Sequence, residues 1–264
     1  MVELSRFVFS YLAPKSPHDL IRLGSEFDGG YVVSQKVVKK SQMLLTFGNG
    51  FNIDFEWDYV KQSQFRKKAI VFDGTHKLMS FQQFYQVIML SLKYFAITPS
   101  LGYLSFLIKS IVLFLLGRGK FIRKNLELFT SERSCTLQEV LSSRSENRVL
   151  LKIDIEGAEW ELLDEIYRNQ ERLEGLIIEF HNVGTRLPLL KSFLEKMYKA
   201  EFNLDHLHAC NYGRLLDDGM PDILEITLGR IYSENTYTFA THLPLVNLDA
   251  PSSRVRDEII VAFI

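Results

Sequence analysis

Three ionisable residues alternate along the segment Leu150–Leu163 and form the strongest chemical signal in the sequence. Lys152, Asp154 and Glu156 continue an apolar run that predicts a buried parallel strand. Alternate strand residues share one face, and three ionisable groups there are costly unless they are paired or lie in a cleft. A structural Lys152–Asp154 ion pair is one interpretation. The other, which we favour, is a reaction site at the end of the strand.

A second candidate group closes the strand predicted at Leu176–Phe180. Glu179 and His181 would share one face at its carboxyl end. Histidine can act as a general base because its unperturbed pKa is near neutral. A hydrogen-bonded histidine that merely closes the strand fits the sequence equally well.

A glycine turn at Gly48–Gly50 follows the strand predicted at Met43–Phe47. Such a turn lets backbone N–H groups approach a ligand, and a helix that begins after it favours anionic groups. Asn49-Gly50 is also a hairpin signal, and the alternating aromatic residues after it favour a strand. Asp73 ends the next strand about 20 residues later, the spacing at which a carboxylate meets a ribose hydroxyl. This order favours a loop followed by a helix, with Asn52 as a candidate N-cap.

Two histidines on one face of a later predicted strand could act as metal ligands. His206 and His208 have a spacing that can chelate a metal, and a third ligand would come from His181 or Glu179. Core and surface histidines far outnumber ligands, and no third ligand is nearby in the sequence. We therefore predict no metal site.

The elements that would position these groups alternate between apolar runs and amphipathic segments. This alternation predicts an α/β fold with βαβ units, a buried parallel sheet and a ligand crevice at the carboxyl ends of the strands. The predicted strands are Met43–Phe47, Ala69–Phe72, Val149–Ile155, Leu176–Phe180 and Ile223–Leu228, and the clearest helices are Ala158–Arg168 and Leu187–Lys199.

Residues 77–124 interrupt this alternation, and their long apolar composition predicts a mostly helical insertion between two sheet strands. Within them, Leu101–Leu116 holds a single charge, Lys109, and is shorter than the roughly 20 apolar residues that span a bilayer. We expect helices that cover the acceptor side of the site. They would pack as a hairpin or in a homodimer interface, or make peripheral contact with an anionic membrane through 101–124, where a basic cluster follows: Arg118, Lys120, Arg123 and Lys124.

Length and composition favour a single globular domain over residues 1–264 that includes this insertion. The net charge of −1 lacks the basic excess of nucleic-acid-binding proteins. Cys135 and Cys210 form neither a disulfide framework nor a zinc motif, which favours a reducing compartment. The N-terminal residues do not resemble a signal peptide, so we expect a cytoplasmic protein.

With these residues assembled, the chain resembles the FkbM-like family of class I S-adenosylmethionine-dependent methyltransferases. KIDIEGAEWELL looks like the most recognisable segment of that family. The earlier blocks RLGSEFDGGYVV, FGNGFNIDFE and VFDGT are similar to it, as are the later blocks IIEFHN, HLHACNYG, PDILEITLGR and NLDAPSSRVRDEI. The chain departs from the family at Gly74, where relatives often have histidine, and in the long insertion.

The resemblance implies a Rossmann-like class I methyltransferase fold with a seven-stranded, mostly parallel sheet, helices on both faces and a final antiparallel strand. It implies in-line transfer of a methyl group from S-adenosylmethionine to a hydroxyl, on a saccharide, a glycan or a glycosylated natural product. The cofactor-binding residues would be Asp28, Gly48, Asn49, Gly50 and Asp73. The residues that face the methyl group or the acceptor would be Asp154, Glu156 and His181.

Two other functions fit parts of the sequence. A non-catalytic protein could retain the fold and bind S-adenosylmethionine, although the intact candidate site argues against a loss of catalytic function. A dinucleotide oxidoreductase would need G-x-G-x-x-G, and the GNGFNI segment lacks the final glycine. For the methyltransferase, the sequence leaves open whether His181 or Asp154 removes the hydroxyl proton.

Overall fold

The computed structural model describes residues 4–7, 12–50, 52–74, 97–217 and 219–263, with side chains from residue 12 onwards except those of 97–103. Its strands, numbered along the chain, are β1 (Leu4–Phe7), β2 (Lys15–Pro17), β3 (Leu20–Gly24), β4 (Gly30–Ser34), β5 (Met43–Phe47), β6 (Lys68–Phe72), β7 (Gly119–Ile122), β8 (Asn125–Leu126), β9 (Ser134–Cys135), β10 (Val149–Ile153), β11 (Leu173–His181), β12 (Phe202–Ala209), β13 (Ile223–Arg230), β14 (Tyr237–Phe239), β15 (His242–Leu243) and β16 (Ile260–Phe263).

The α-helices of the described residues are α1 (Gln35–Lys40), α2 (Asp54–Gln62), α3 (Ile97–Leu115), α4 (Leu137–Ser142), α5 (Leu163–Arg168) and α6 (Leu187–Lys199). Short 3₁₀ helices lie at Ala158–Leu162, Gln170–Arg172 and Val183–Thr185. The helix predicted at Ala158–Arg168 is therefore a 3₁₀ turn followed by α5, and α6 has the predicted bounds.

Seven strands form the central sheet in the order β12-β13-β11-β10-β5-β6-β7. The five strands from β11 to β7 run parallel to one another. The strand β13, the last of these seven along the chain, is antiparallel to both β11 and β12. This architecture confirms the predicted fold class, including the final antiparallel strand.

Helices cover both faces of this sheet because the strand side chains alternate between two apolar clusters. In β10, Leu151 and Ile153 belong to a cluster that includes residues of α4, α5 and α6. Leu150 belongs to the other cluster, which includes residues of α1, α2 and α3. Lys152 has the same parity as Leu150 and therefore points to the α1–α3 side.

The parallel strands end at one edge of the sheet, which sets the place of the candidate site. Beyond the strands, the backbone ladder continues: the N–H of Asp154 donates to Phe47 O at 2.9 Å, and that of Gly48 donates to Phe72 O at 3.0 Å. The loops after β5, β6 and β10 therefore leave the sheet at the same level, where the crevice of an α/β sheet is expected.

Two predictions about the first half of the chain can now be resolved. The segment after Gly50 leads into a helix, α2, rather than a hairpin strand. The N-cap of this helix is Ile53 and not the predicted Asn52, although Asn52 Oδ1 accepts a hydrogen bond from the Asp54 N–H at 2.9 Å. The predicted insertion does not extend to Lys124. Residues 119–122 form β7, the edge strand of the sheet next to β6, so the helical part ends at Leu115.

The first half of the predicted insertion, up to residue 96, lies outside the described residues. Among the described helices, none has the length and apolar character needed to cross a bilayer.

Candidate functional site

A cavity of about 470 Å³ opens at the carboxyl edge of the central sheet. All the residues proposed from the sequence for cofactor and catalysis line it: Asp28, Gly48, Asn49, Gly50, Asp73, Asp154, Glu156 and His181. The structure thus brings together residues that are separated by as much as 153 positions in the chain (181 − 28). Their roles remain proposals, whereas their common location is a structural finding.

The glycine turn forms one wall of the cavity. Gly48 has a φ of +78°, and a Cβ at this position would lie 1.6 Å from the carbonyl oxygen of Asp154, so only glycine fits. The next residue, Asn49, donates its backbone N–H to Asp73 Oδ2 at 3.2 Å. Gly50 also has positive φ, but a Cβ there would meet no atom within 4 Å. The turn and the carboxylate of Asp73 are therefore joined, as their order in the sequence predicted.

The hairpin of β3 and β4 lines another part of the cavity and carries Asp28 in its turn. The Asp28 carbonyl accepts a hydrogen bond from Asn52 Nδ2 at 3.0 Å, which ties this turn to the start of α2. Behind it, Thr227 Oγ1 donates to the Val32 carbonyl at 2.8 Å and holds β4 against the central sheet. Asp28 is thus brought to the cavity by an element outside the central sheet.

The floor of the cavity contains a lysine among aromatic and acidic groups. Lys152 is 4% exposed, its ammonium lies 4.8 Å from the centre of the Tyr31 ring, and it donates to the Gly48 carbonyl at 3.4 Å. Glu56 is buried beside it and accepts a hydrogen bond from Thr46 Oγ1 at 2.6 Å. Burial raises the pKa of Glu56, against the opposing effect of the Lys152 charge.

Asp154 and Glu179 form an acidic pair linked through one phenol. The Tyr31 hydroxyl lies 3.4 Å from Asp154 Oδ2 and 3.4 Å from Glu179 Oε2. Burial raises the pKa of Asp154. Burial also raises the pKa of Glu179 to about 7, with the charge of Asp154 acting in the same direction. The pair therefore includes a carboxyl group whose pKa is shifted toward neutral pH.

His181 lies among three carboxylates. Its Nδ1 is 3.2 Å from Glu159 Oε1, and its Nε2 is 3.4 Å from Glu179 Oε1 and 3.5 Å from Glu156 Oε2. Burial lowers the pKa of His181, but the hydrogen bonds with Glu159 and Glu179 outweigh it and raise the pKa to about 10. The ring is therefore charged at neutral pH and has no lone pair to accept a proton. This favours a carboxylate of the site, such as Asp154, over His181 as the general base, and the choice between them stays a prediction.

Glu159 organises the loop after β10, and the sequence analysis missed it. Its side chain is fully buried, and Oε1 accepts hydrogen bonds from the backbone N–H groups of Ile155 and Gly157 at 3.0 and 3.1 Å. The next residue, Trp160, donates its indole N–H to the His181 carbonyl at 2.7 Å. An acidic residue at the start of a helical segment was a usable signal, because carboxylates there accept free backbone N–H groups.

Glu56 is the second residue that the sequence analysis missed. It is adjacent to Phe55 and lies three and four positions before Tyr59 and Val60, and all four side chains are buried on one side of α2. A glutamate at that spacing marks an acidic group on the buried face of the helix.

Three residues of the cavity satisfy the spacing for a metal ion. Asp154, Glu156 and His181 each offer a ligand atom, and these atoms lie within 4.8 Å of one another. The pair weighed from the sequence does not form such a site, because His206 Nε2 contacts Asp249 at 3.0 Å whereas His208 Nδ1 contacts Glu225 at 3.0 Å. The absence of a metal requirement stays a prediction, and its test is given below.

A second cavity of about 380 Å³ adjoins the first and shares Asp28 and Tyr212 with it. Tyr212 is about half exposed. Phe27 and Arg254 also line the second cavity, and the guanidinium of Arg254 lies 4.0 Å from the centre of the Phe27 ring. The two cavities together provide an acidic region and an adjoining region with aromatic and basic side chains.

Comparisons with known proteins give weak likenesses only. No protein-family model and no curated protein matches the chain. The human methyltransferase 10 domain containing protein is 10% identical over 75% of this chain and 79% of that chain, with a TM-score of 0.41. A precorrin-6y C5,15-methyltransferase from Geobacter metallireducens is 12% identical over 75% of this chain and 90% of that chain, with a TM-score of 0.36. The Methanococcus jannaschii fibrillarin pre-rRNA processing protein is 9% identical over 73% and 68%, with a TM-score of 0.36. At these values we base the function below on the site itself.

Proposed function

We propose that this protein is an S-adenosylmethionine-dependent O-methyltransferase that acts on a hydroxyl of a saccharide, a glycan or a glycosylated natural product. The observation that carries the proposal is the contact between the Asn49 N–H and the Asp73 carboxylate at the carboxyl edge of the sheet, beside the acidic pair of Asp154 and Glu179. This combination offers a nucleoside site next to a group that can take a proton.

The cofactor half of the cavity suits a cationic nucleoside. Asp73 would accept hydrogen bonds from ribose hydroxyls, and the turn at Gly48–Gly50 leaves room for close approach to the backbone. The lining is rich in carboxylates, which favours a positively charged sulfonium over a neutral group. Asp28, on the β3–β4 hairpin, adds a carboxylate to that lining.

When bound, S-adenosylmethionine would supply an activated methyl group for in-line transfer to the acceptor oxygen, with S-adenosylhomocysteine as the leaving group. The residues of the chain have to position the acceptor and remove its proton. Glu179, with a pKa of about 7, is the general base that we propose, and Asp154 is the alternative. The charged ring of His181 would stabilise the carboxylate of Glu179 and orient it, and Glu156 lies at the exposed rim.

The acceptor would lie in the second cavity. Tyr212 and Phe27 offer aromatic surface for the apolar face of a sugar ring, and the phenol also provides a hydrogen-bonding group. Arg254 would donate hydrogen bonds to acceptor oxygens from its position on Phe27. These groups support a polar acceptor with a flat apolar face.

The proposal is tested by binding and turnover measured on one preparation. Calorimetry should show binding of S-adenosylmethionine, and Asp73→Ala should weaken it by about 1–3 kcal/mol through loss of a charge-assisted hydrogen bond. Asp164→Ala, which removes an exposed carboxylate on α5, is the control and should bind as the wild type does. Labelled methyl transfer to a panel of glycosides then separates an enzyme from a protein that only binds the cofactor. Binding of NAD instead would overturn the proposal.

A further inference from the structure

The outer side of α3 exposes a continuous set of large apolar side chains. Leu104, Ile108, Ile111 and Leu115 recur at helical spacing with exposed fractions of 43, 53, 56 and 74%. Phe114 and Leu116 beside them are 71 and 50% exposed. We call these six residues the α3 outer face. A set of this size on one helix is typical of a binding surface rather than of ordinary solvent-exposed residues.

The opposite side of the same helix is packed against the protein. Phe106 and Leu113 are buried in the cluster beneath α1 and α2, and Phe106 contacts the ring of Phe121 edge to face. Lys109, which is the only charged residue of α3, forms an ion pair of 2.6 Å with Asp54. The helix therefore already has its core contacts, and its single charge is engaged by α2 rather than by the outer face.

The charged residues that flank α3 in the sequence are all basic. The chain has no aspartate or glutamate between Asp73 and Glu127, whereas basic residues follow α3 directly. Lys120 and Arg123 are exposed, and Arg118 donates to the Arg66 carbonyl at 2.9 Å. An apolar helix face bordered by lysine and arginine is the composition of helices that lie on anionic membrane surfaces.

We propose that the α3 outer face docks this protein on an anionic lipid bilayer, with the helix lying in the plane of the interface. A second copy of the chain fits less well. In a twofold contact through this face the basic segments of both copies would lie in or beside one interface, and the surrounding sequence offers no acidic residue to oppose them. A lipid surface instead pairs the apolar residues with acyl chains and the basic residues with anionic headgroups.

Membrane docking would also hold the candidate site near the lipid surface. Lys109 is tied to the first residue of α2, which follows the glycine turn, and the residues Lys124 to Glu127 after β7 line the main cavity. An acceptor carried on a lipid would then be presented beside the cavity, a consequence that rests on the proposed function. The docking itself does not rest on it.

The test is co-sedimentation of the full chain with vesicles at low salt. Vesicles of phosphatidylcholine with phosphatidylglycerol should bind the wild type, and pure phosphatidylcholine vesicles should bind it much more weakly. The triple variant Ile108→Ser, Ile111→Ser, Leu115→Ser should lose binding by at least about tenfold, because it removes most of the buried apolar area. Lys120→Gln with Arg123→Gln should weaken binding to the anionic vesicles by about fivefold per charge.

A matched control lies on the other side of the sheet. Leu189 and Tyr198 on α6 are also exposed, at 52 and 64%, and Leu189→Ser with Tyr198→Ser should bind vesicles as the wild type does. Absence of wild-type binding to the anionic vesicles would overturn the proposal, as would equal binding by the triple variant. A dimer in analytical ultracentrifugation that the triple variant abolishes, without vesicle binding, would assign the face to a second copy. Cofactor calorimetry on the same samples keeps this outcome separate from failure of the proposed function.

Discussion

The Nδ1 atom of His181 lies 3.2 Å from Oε1 of Glu159, a carboxylate with no exposed surface. The same carboxylate oxygen accepts the N–H groups of Ile155 and Gly157, so its position is fixed by the backbone of the loop. Glu159 and Glu179 together favour a charged imidazole, and for this reason we propose an acidic residue rather than the histidine as the general base.

The charge on His181 predicts how stability changes with pH. The pKa is raised from 6.5 to about 10 in the folded protein, so the stabilisation is fully present below pH 6.5 and is lost as the pH rises through about 10. The difference in the free energy of unfolding between wild type and His181→Gln should therefore shrink between these pH values. Urea denaturation at pH 6, 8 and 10 measures it, and a difference that grows with pH would contradict the assignment.

Glu179 should control turnover. A general base contributes about 100-fold or more to the rate, so Glu179→Gln should lose that much while it still binds S-adenosylmethionine. Because the pKa of Glu179 is about 7 and the base must be ionised, the wild-type rate should rise as the pH increases through 7. Steady-state kinetics across this range is the check, with Glu161→Gln, an exposed glutamate, as the control. If Asp154→Asn abolishes turnover and Glu179→Gln does not, Asp154 is the base.

The two glycines of the turn should respond differently to the same change. Gly48→Ala places a methyl group against the Asp154 carbonyl. We expect the free energy of unfolding to fall by about 1–2 kcal/mol because of the left-handed backbone, and by about 1–3 kcal/mol more because of overpacking. Gly50→Ala has open space around its Cβ, so its free energy of unfolding should fall only by the amount due to the left-handed backbone. Denaturant titration of both variants gives the comparison. Equal losses would mean that the Asp154 carbonyl does not lie where the structure places it.

Removal of metal ions should leave methyl transfer unchanged. Although Asp154, Glu156 and His181 satisfy the spacing for a cation, the hydrogen bonds of His181 with Glu159 and Glu179 favour its protonated ring, and a cation would have to displace that proton. Activity after EDTA treatment and gel filtration should match that of the untreated protein. Inhibition that Mg²⁺ or Mn²⁺ reverses would instead show that a cation at these three residues activates the acceptor.

Most strands of the parallel part of the sheet could be predicted from the sequence because buried parallel strands are continuous apolar runs, whereas their order could not. Met43–Phe47 and Leu187–Lys199 have the predicted bounds, since each is bordered by clear turn or helix signals. The strand Gly119–Ile122 was missed because it lies at the edge of the sheet, is partly exposed and carries Lys120 within a basic cluster. Because β7 pairs only with β6 among the described strands, it lacks the continuous apolar run of a central strand.

The site could be located from the sequence, but its electrostatics could not. Residues at the ends of predicted parallel strands had to meet, which brought Asp73, Asp154 and His181 to one cavity. The charge state of His181 depends on Glu159, whose side chain folds back across a turn that spacing does not reveal. The pKa of Glu179 likewise depends on its burial and on neighbours from other strands.

A crystal structure with S-adenosylhomocysteine tests the central claim most directly. We expect the ribose hydroxyls to contact the Asp73 carboxylate and the thioether sulfur to lie in the main cavity, facing Asp154 and Glu179. Arg254 and Tyr212 should remain free to receive the acceptor in the adjoining cavity. Binding of the nucleoside elsewhere on the protein, or no binding at millimolar concentration in crystals that diffract well, would contradict the assignment of this cavity to the cofactor.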